Sequence, residues 1–562
     1  MLRCPLPPPQ PRFAGRRKCG DKRAAVLALL AALAPLACGG GRRGPPPERF
    51  VPASARAALI VPDTGRAATA LAALHATVSG FPGAGDLAGS RGALAAQLGF
   101  DPLDPDALSD AGVDARRGAA VALLDAPGAQ PGEVPATLVV LPAGDAPKLE
   151  RLLARLAKDR LGATERSSEP RGGVSAVVFR RPGGSPAALS YVLVQRTALL
   201  TTHPSGPDLV AAAATLAPPA SLGEHSGWKL ARAALGEQVA AVAFVPAGSR
   251  LLEGLWAFKD GMALGVSASP NRLSARLAML LGAREPSFRA LAADGRGAAL
   301  VSRLDPTAPL VARWDGDFAA LGTKLVPMLS QRDRALLERH GLDLQRDLFS
   351  LLAPGGAVAL SLPAHLSLGE LTAEATRKDP LRAVEFEAVF PVRPGADAAA
   401  AAGRLAKAVG AQRPHVRGRG HARPPPDDGV VRVRTPSGEI AWKLDLAAGR
   451  LVAAGGRPGR IDALLARLAG SEPGWKARTP TAEAALSGGL GGVALDAPRL
   501  VAAVRALPDE AFGGGPSGFV MRSIVERAID PAARLAAASL RAELAPGTLR
   551  LDLDAEALGE AP

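Results

Sequence analysis

The sequence predicts an α+β fold made of two similar halves, each a largely antiparallel sheet with helices packed on one face. Three observations carry that expectation. Apolar runs of strand length alternate with Ala/Leu-rich helical stretches. Several strand pairs follow one another with no helix between them, which favours antiparallel pairing. The same order of landmarks also returns about 245 residues further along the chain.

In the first half, Val51-Pro52-Ala53 precedes an apolar strand at 57–61. Gly99-Phe100-Asp101 opens an acidic stretch, Asp101, Asp104, Asp106 and Asp110, which reads as capping for a short helix. It lacks the central Gly and closing Glu of a calcium loop. Strands at 119–124 and 137–141, a helix over 145–159 and strands at 174–179 and 189–195 follow. Gly227-Trp228-Lys229 begins a helical run, with Ser226 as its expected N-cap, and leads to a strand at 239–245. A hairpin of 262–267 and 273–279 around Ser269-Pro270-Asn271 closes the half.

The second half repeats these landmarks. Gly341-Leu342-Asp343 precedes strands at 356–360 and 384–392, a helix over 396–409, and strands at 430–433 and 440–446. Gly474-Trp475-Lys476 begins the matching helical run toward a strand at 492–495. A hairpin of 535–542 and 548–554 turns at Ala545-Pro546-Gly547. Trp228 and Trp475 are expected to staple helix to sheet.

Composition fits a folded body of 562 residues, with 48% hydrophobic and 21% charged residues. Aromatics are only 4%, so Leu, Val and Ala must fill the core. The net charge of +14 is not a nucleic-acid signal. Residues 1–37 hold seven of the basic side chains and one acid, and the remainder has 60 basic against 52 acidic residues. Only 11 of the 67 basic residues are Lys, the bias a GC-rich genome produces without a partner. Cys4, Cys19 and Cys38 are the only cysteines. After Cys38 the chain therefore has no disulfide, thiol nucleophile or thiolate ligand.

The N-terminus carries an address. Residues 1–23 are basic, and residues 24–36 form an apolar run too short for an ordinary spanning helix and suited to a signal-peptide core. Ala37-Cys38-Gly39-Gly40 follows, and here the sequence resembles the bacterial lipoprotein signal. Pro35 departs from the aliphatic residue that family places three positions before the Cys. The resemblance implies a signal peptide over 1–37 and acylation of Cys38, palmitate included. A flexible spacer over 38–48 would then join the anchor to folded halves at 49–284 and 285–562. Gly39, where an Asp would retain such a protein at the inner membrane, implies a periplasm-facing protein of the outer membrane.

The body is similar to large two-copy bacterial envelope proteins catalogued only as a domain of unknown function. The likeness rests on Val51-Pro52-Ala53 before strand 57–61 and on the Gly-hydrophobic-Asp steps at 99–101 and 341–343. It implies no catalytic residues.

No motif for chemistry emerges. The sequence has no phosphate-binding Gly-x4-Gly-Lys-Ser/Thr loop, no Gly-x-Ser-x-Gly elbow and no His-Glu-x-x-His. Ser226-Gly227-Trp228-Lys229 spells Ser-x-x-Lys, but its counterpart before Trp475 has no serine and no Lys-Thr-Gly accompanies it. His75, His203, His225, His340, His365, His415 and His421 include no pair one helical turn apart. No metal or cofactor is expected. The loop carrying Arg413, Arg417, Arg419 and Arg423 is the most basic surface candidate, for anionic lipid headgroups or cell-wall polymer. With no interleaved aromatics it does not suit nucleic acid.

The role expected is non-enzymatic: binding, scaffold or assembly support in the envelope. The alternatives are a lipid or glycolipid carrier, with an apolar groove between sheet and helices, and an enzyme whose active site is scattered along the chain.

Overall fold

The computed structural model describes residues 44–558, apart from 80–84, 126–133, 270, 340, 364, 369–375, 377–378, 396–399, 402, 405–428, 471 and 514. Helices interleave with antiparallel sheet, so the fold class is α+β. The chain forms two compact units. One runs up to Ala68 and resumes over Ser90–Glu224; the other takes Thr69–Gly89 and continues from His225.

The first unit contains β1 (Ala57–Val61), β2 (Ala119–Leu124), β3 (Ala136–Pro142), β4 (Glu165–Arg171), β5 (Val174–Arg180), β6 (Leu189–Val194) and β7 (Thr197–Thr201). They pair antiparallel in the order β4-β5-β6-β7-β3-β2-β1. Every residue of β3 is buried, as befits a strand covered on both faces. The helix Ala146–Leu161 presents Leu149, Leu152, Leu153 and Leu156 to the core at helical spacing. Asp145 caps it by accepting the Lys148 N–H at 2.9 Å, and Gly162 ends it with φ 65°. Asp104 caps the short helix Pro105–Asp110, as the acidic run predicts.

The second unit contains β8 (Ala241–Pro246), β9 (Gly261–Ser269), β10 (Arg272–Leu280), β11 (Leu310–Trp314), β12 (Gly356–Ser361), β13 (Glu385–Pro391), β14 (Val431–Thr435), β15 (Gly438–Asp445), β16 (Arg450–Gly456), β17 (Gly491–Asp496), β18 (Leu535–Ala545) and β19 (Thr548–Ala557). Their order is β8-β9-β10-β19-β18-β17-β11-β12-β13-β16-β15-β14, again antiparallel throughout. The stretch β11-β12-β13-β16-β15-β14 is paired antiparallel at every step, as is the first unit's β1-β2-β3-β7-β6-β5. The hairpin strands β10 and β19 pair along their whole length.

One face of this sheet supports the core. Val311, Ala357, Ala359, Val389, Val452 and Ala494 meet Val301, Leu464, Ala482 and Leu486 from the helices Gly297–Val301, Arg460–Leu468 and Pro480–Leu486. A smaller cluster, Phe318 with Leu351, Leu352 and Val392, packs on Trp314, Phe390, Leu444 and Leu451 at one end of the opposite face.

Two local expectations need correction. Ser226 is the first residue of the helix Ser226–Leu235 and not its cap. The cap is His225, whose Nδ1 accepts the Trp228 N–H at 3.3 Å, a role imidazole fills because its acceptor nitrogen reaches back like an Asp oxygen. Trp475 is not helical either. The helix begins only at Pro480, capped by Thr479, because Pro480 is pre-set for the first turn. Trp228 does staple its helix to the sheet, edge-on to Phe244 of β8 at 5.6 Å.

Asp347 is fully buried and accepts hydrogen bonds from Arg346, Arg404 and the Asp343 backbone. The Arg346 hydrogen bond holds its carboxyl far below the usual carboxylate range. A depressed pKa stabilises the fold above the ordinary range, and that stability is lost as pH falls through it. Asp347→Asn is therefore expected to lower stability by about 1–2 kcal/mol at pH 7. The gap to wild type should narrow below about pH 4, measured by urea unfolding at both pH values.

Candidate functional site: an open apolar sheet face

The alternation in β19 defines two faces. Leu549, Leu551, Leu553 and Ala555 point one way; Arg550, Asp552, Asp554 and Glu556 point the other. Register extends the first face across the sheet. Ala241, Val266, Ala275, Leu553, Leu540, Val493, Ala312, Val358, Ala388, Ala453, Trp442 and Val431 lie opposite one another, one per strand from β8 to β14. At ~4.8 Å per strand the row spans roughly 50 Å with no polar side chain. The neighbouring row, Ala268, Leu273, Ala555, Ala538, Leu495, Leu310, Leu360 and Phe386, is apolar too.

The usual arrangement, polar residues to water and apolar ones to the core, is inverted here. Leu553 is 51% exposed, Leu540 39% and Leu264 36%. On the opposite face, the side chains of Asp552 and Asp554 are only 14% and 18% exposed. Those charges are tied down: Arg272 and Ser274 both bind Asp554, and Arg550 bridges Glu543 and Asp552. Arg276 and Arg550 also donate to the last carbonyls of the Ser226–Leu235 helix, at Leu235 and Ala234. Most charges of that face thus pair within the protein, while Leu264, Leu540 and Leu553 face outward. In the first unit the cross-strand row Val121, Val139, Leu200 and Tyr191 is buried.

Beneath the second unit's core face lies a buried ionic cluster. Glu385 and Glu387 alternate on β13, and Arg460 and Arg467 stand two turns apart on one helix. Arg460 reaches Glu385 at 2.5 Å, Asp305 at 2.8 Å and Ser361 at 3.1 Å. Arg467 reaches Glu387 at 2.6 Å, and Glu387 also accepts the Asp305 N–H at 2.8 Å. Burial raises the Glu387 carboxyl against the pull of both arginines. Burial also acts to raise Asp305, but the Thr307 donors and Arg460 outweigh it and leave it below the usual range. Arg313, buried beside Asp315, is lowered to about 10 by burial. These groups pair chiefly with one another and hold the core together; they do not converge on a reacting position.

Cys38 and the loop positions Arg413, Arg417, Arg419 and Arg423 lie outside the described residues, as do His340, His415 and His421. Arg432, at the end of that loop, pairs with Asp462 and Glu439, and Arg434 is exposed. His75, His203, His225 and His365 each sit at separate local contacts, with Ser79, Ser205, Trp228 and Ser437. Among the described residues no three of His, Cys, Asp or Glu gather as metal ligands. A depression of about 350 Å³ in the loop after β8 is lined by Ser249, Leu252, Glu253, Leu255 and Lys259. No helix among the described residues is long and apolar enough to cross a membrane.

No family model and no curated protein matches the chain. One solved structure, described as crystal form IV of TP0453, aligns with 44% of this chain and 85% of its own length, at 10% identity and a TM-score of 0.23. A likeness at that level carries no argument.

The open leucine face was missed from the sequence although its signal was printed in β19. Alternation identifies a half-buried strand but does not say which half is buried.

Proposed function

We propose that the chain is a lipid-anchored cell-envelope protein, exported behind its leader and held at a membrane through Cys38. In this reading its body is a non-enzymatic binding module that seats lipid acyl chains on the open sheet face of the second unit. The body is a duplicated one. The row Leu59, Val121, Val139, Leu200, Tyr191 and Val177 is matched strand for strand by Ala312, Val358, Ala388, Ala453, Trp442 and Val431, which supports two copies of one plan.

The observation that carries the ligand class is the inversion of exposure between the leucine and the charged faces of β10, β19 and β18. Leu264, Leu540 and Leu553 stand exposed together on that face, and a patch of neighbouring exposed leucines is the kind of surface that marks a binding site. A face with no donor or acceptor recognises hydrocarbon and little else. It lies on the side of the sheet away from the core helices, not in a groove between sheet and helices.

Titration of the purified protein with a fluorescent sixteen-carbon fatty acid is expected to give saturable binding. Leu540→Glu with Leu553→Glu should weaken that binding by at least about tenfold, because a carboxylate cannot be desolvated against a methylene chain. Unchanged affinity, or no saturable binding by the parent, defeats the reading. The anchor has its own test. A clickable palmitate analogue fed to producing cells should label the parent chain and not Cys38→Ser; equal labelling would place the acyl group elsewhere.

A further inference from the structure

The apolar face of the second unit's sheet is not level. Side chains pack over it at both ends of the strands. Phe318 and its partners sit on Trp314, Phe390 and Leu451 at one end, and at the other Leu362, two residues past Leu360, packs with Leu366, Leu507 and Phe512. Between them runs the row Val493, Ala312, Val358, Ala388 and Ala453, one residue each from β17, β11, β12, β13 and β16. This row holds only Val and Ala, while the rows beside it carry Trp314, Phe390 and Leu451 on one side and Leu310, Leu360 and Phe386 on the other. Rows two residues apart lie ~7 Å from one another, so the flanking rows stand ~14 Å apart and their side chains leave about the width of one hydrocarbon chain. All of the row but Ala388 is partly exposed, although Ala494, Val311, Ala357 and Val452 beside it on the core face are buried. Large side chains close both ends of the row: Leu540 of β18, 39% exposed, and the partly exposed Trp442 of β15.

We infer that this row is the floor of a trough for one extended acyl chain, and that Trp442 is the stop that limits the chain's length. The inference rests on the proposed function and narrows its ligand. At ~4.8 Å per strand the five floor positions span ~19 Å. A hydrocarbon with ~1.5 Å bonds advances ~1.25 Å per carbon when extended, so ~16 carbons fill that floor. The methyl end meets the Trp442 ring, and the polar end leaves over the more exposed Leu540. A polypeptide is the poorer occupant. Each of the five floor strands is already paired on both sides, so a segment crossing them would find no backbone partner for its own amides. An acyl chain has no such groups to leave unpaired.

The test is a length series: straight-chain fatty acids of about twelve to twenty-two carbons displace the fluorescent sixteen-carbon probe from the purified protein. Parent affinity should rise at least ~tenfold from twelve to sixteen carbons and less than ~twofold from sixteen to twenty, because further methylenes find no floor. Trp442→Ala extends the floor to Val431 of β14, so its affinity for twenty carbons should exceed that for sixteen at least ~fivefold. Ala453→Leu raises the floor one strand short of the stop and should move the break the other way, to about twelve carbons. Two variants with opposite expected shifts cannot both be explained by a loosened fold. Parent affinity that climbs evenly through the whole series overturns the inference, and so does a break that neither variant moves. In both cases acyl binding on the open face still stands. If no chain length binds the parent saturably, the proposed function itself fails, and the trough with it.

Discussion

Arg460→Met is expected to destabilise the protein by about 3–5 kcal/mol, seen as a lower urea midpoint in far-ultraviolet circular dichroism. The residue is 6% exposed and answers Glu385, Asp305 and, at 3.5 Å, Glu387. Two buried arginines face three buried carboxyls, and burial pushes the Glu387 carboxyl upward against the pull of both. Removing Arg460 leaves three carboxyls with Arg467 alone, and each unpaired buried charge is costly. The pH dependence follows. In the variant the carboxyls sit above their unfolded values, so the folded state holds more protons than the unfolded one and stability rises as pH falls. The deficit should be smaller at pH 5 than at pH 8. A deficit independent of pH would mean the loss is one of packing.

The cluster also bears on the proposed duplication. At positions of equal register the first unit has Ala136 and Leu138 where β13 has Glu385 and Glu387. Its helix Gly206–Ala214 lies after β7 as the Arg460–Leu468 helix lies after β16, and it carries neither arginine. An apolar core therefore suffices for this plan. Replacing the second unit's charges together by apolar residues should cost far less than removing Arg460 alone.

Much of the fold was legible in the sequence because the strands that mattered were bounded by turn residues. Strands 57–61 and 119–124 are β1 and β2 to the residue, and both hairpins close at the places their Pro and Asn or Gly mark. Strand β7 was not legible. It is joined to β6 through Gln195 and Arg196, both at positive φ, where the usual Asn-Gly signal is absent. Strand β4 reads Glu-Arg-Ser-Ser-Glu-Pro-Arg and has no apolar alternation, because it is an exposed strand held by backbone pairing to β5. The ionic cluster was hidden for a different reason. Asp305, Glu385, Glu387, Arg460 and Arg467 come from three separated segments, brought together by the pairing of β13 with β16 and, through β12, with β11. The apolar face was visible as a pattern and invisible as a site, since exposure is a property of packing.

The paired tryptophans show how far a repeated motif fixes a role. Trp475→Ala is expected to cost about 3–5 kcal/mol, and Trp228→Ala a similar amount, since both rings are buried. Their Phe variants should differ. Trp228 works as a ring, edge-on to Phe244 and beneath Arg232, and phenylalanine retains most of that packing. Trp475 also works as a donor. Its indole N–H binds the Ala308 carbonyl at 3.0 Å, its backbone N–H binds the Leu304 carbonyl at 2.9 Å, and a Cβ on Gly474 would lie 1.9 Å from the Ser302 carbonyl oxygen. The strand-like segment at 474–475 is thereby pinned along the 302–308 turn, where no helix could approach so closely. Trp475→Phe removes the donor from a buried carbonyl and should be less stable than Trp228→Phe by about 1–2 kcal/mol. Equal urea midpoints for the two Phe variants would mean that the indole hydrogen bond contributes nothing and that both rings serve only to fill space.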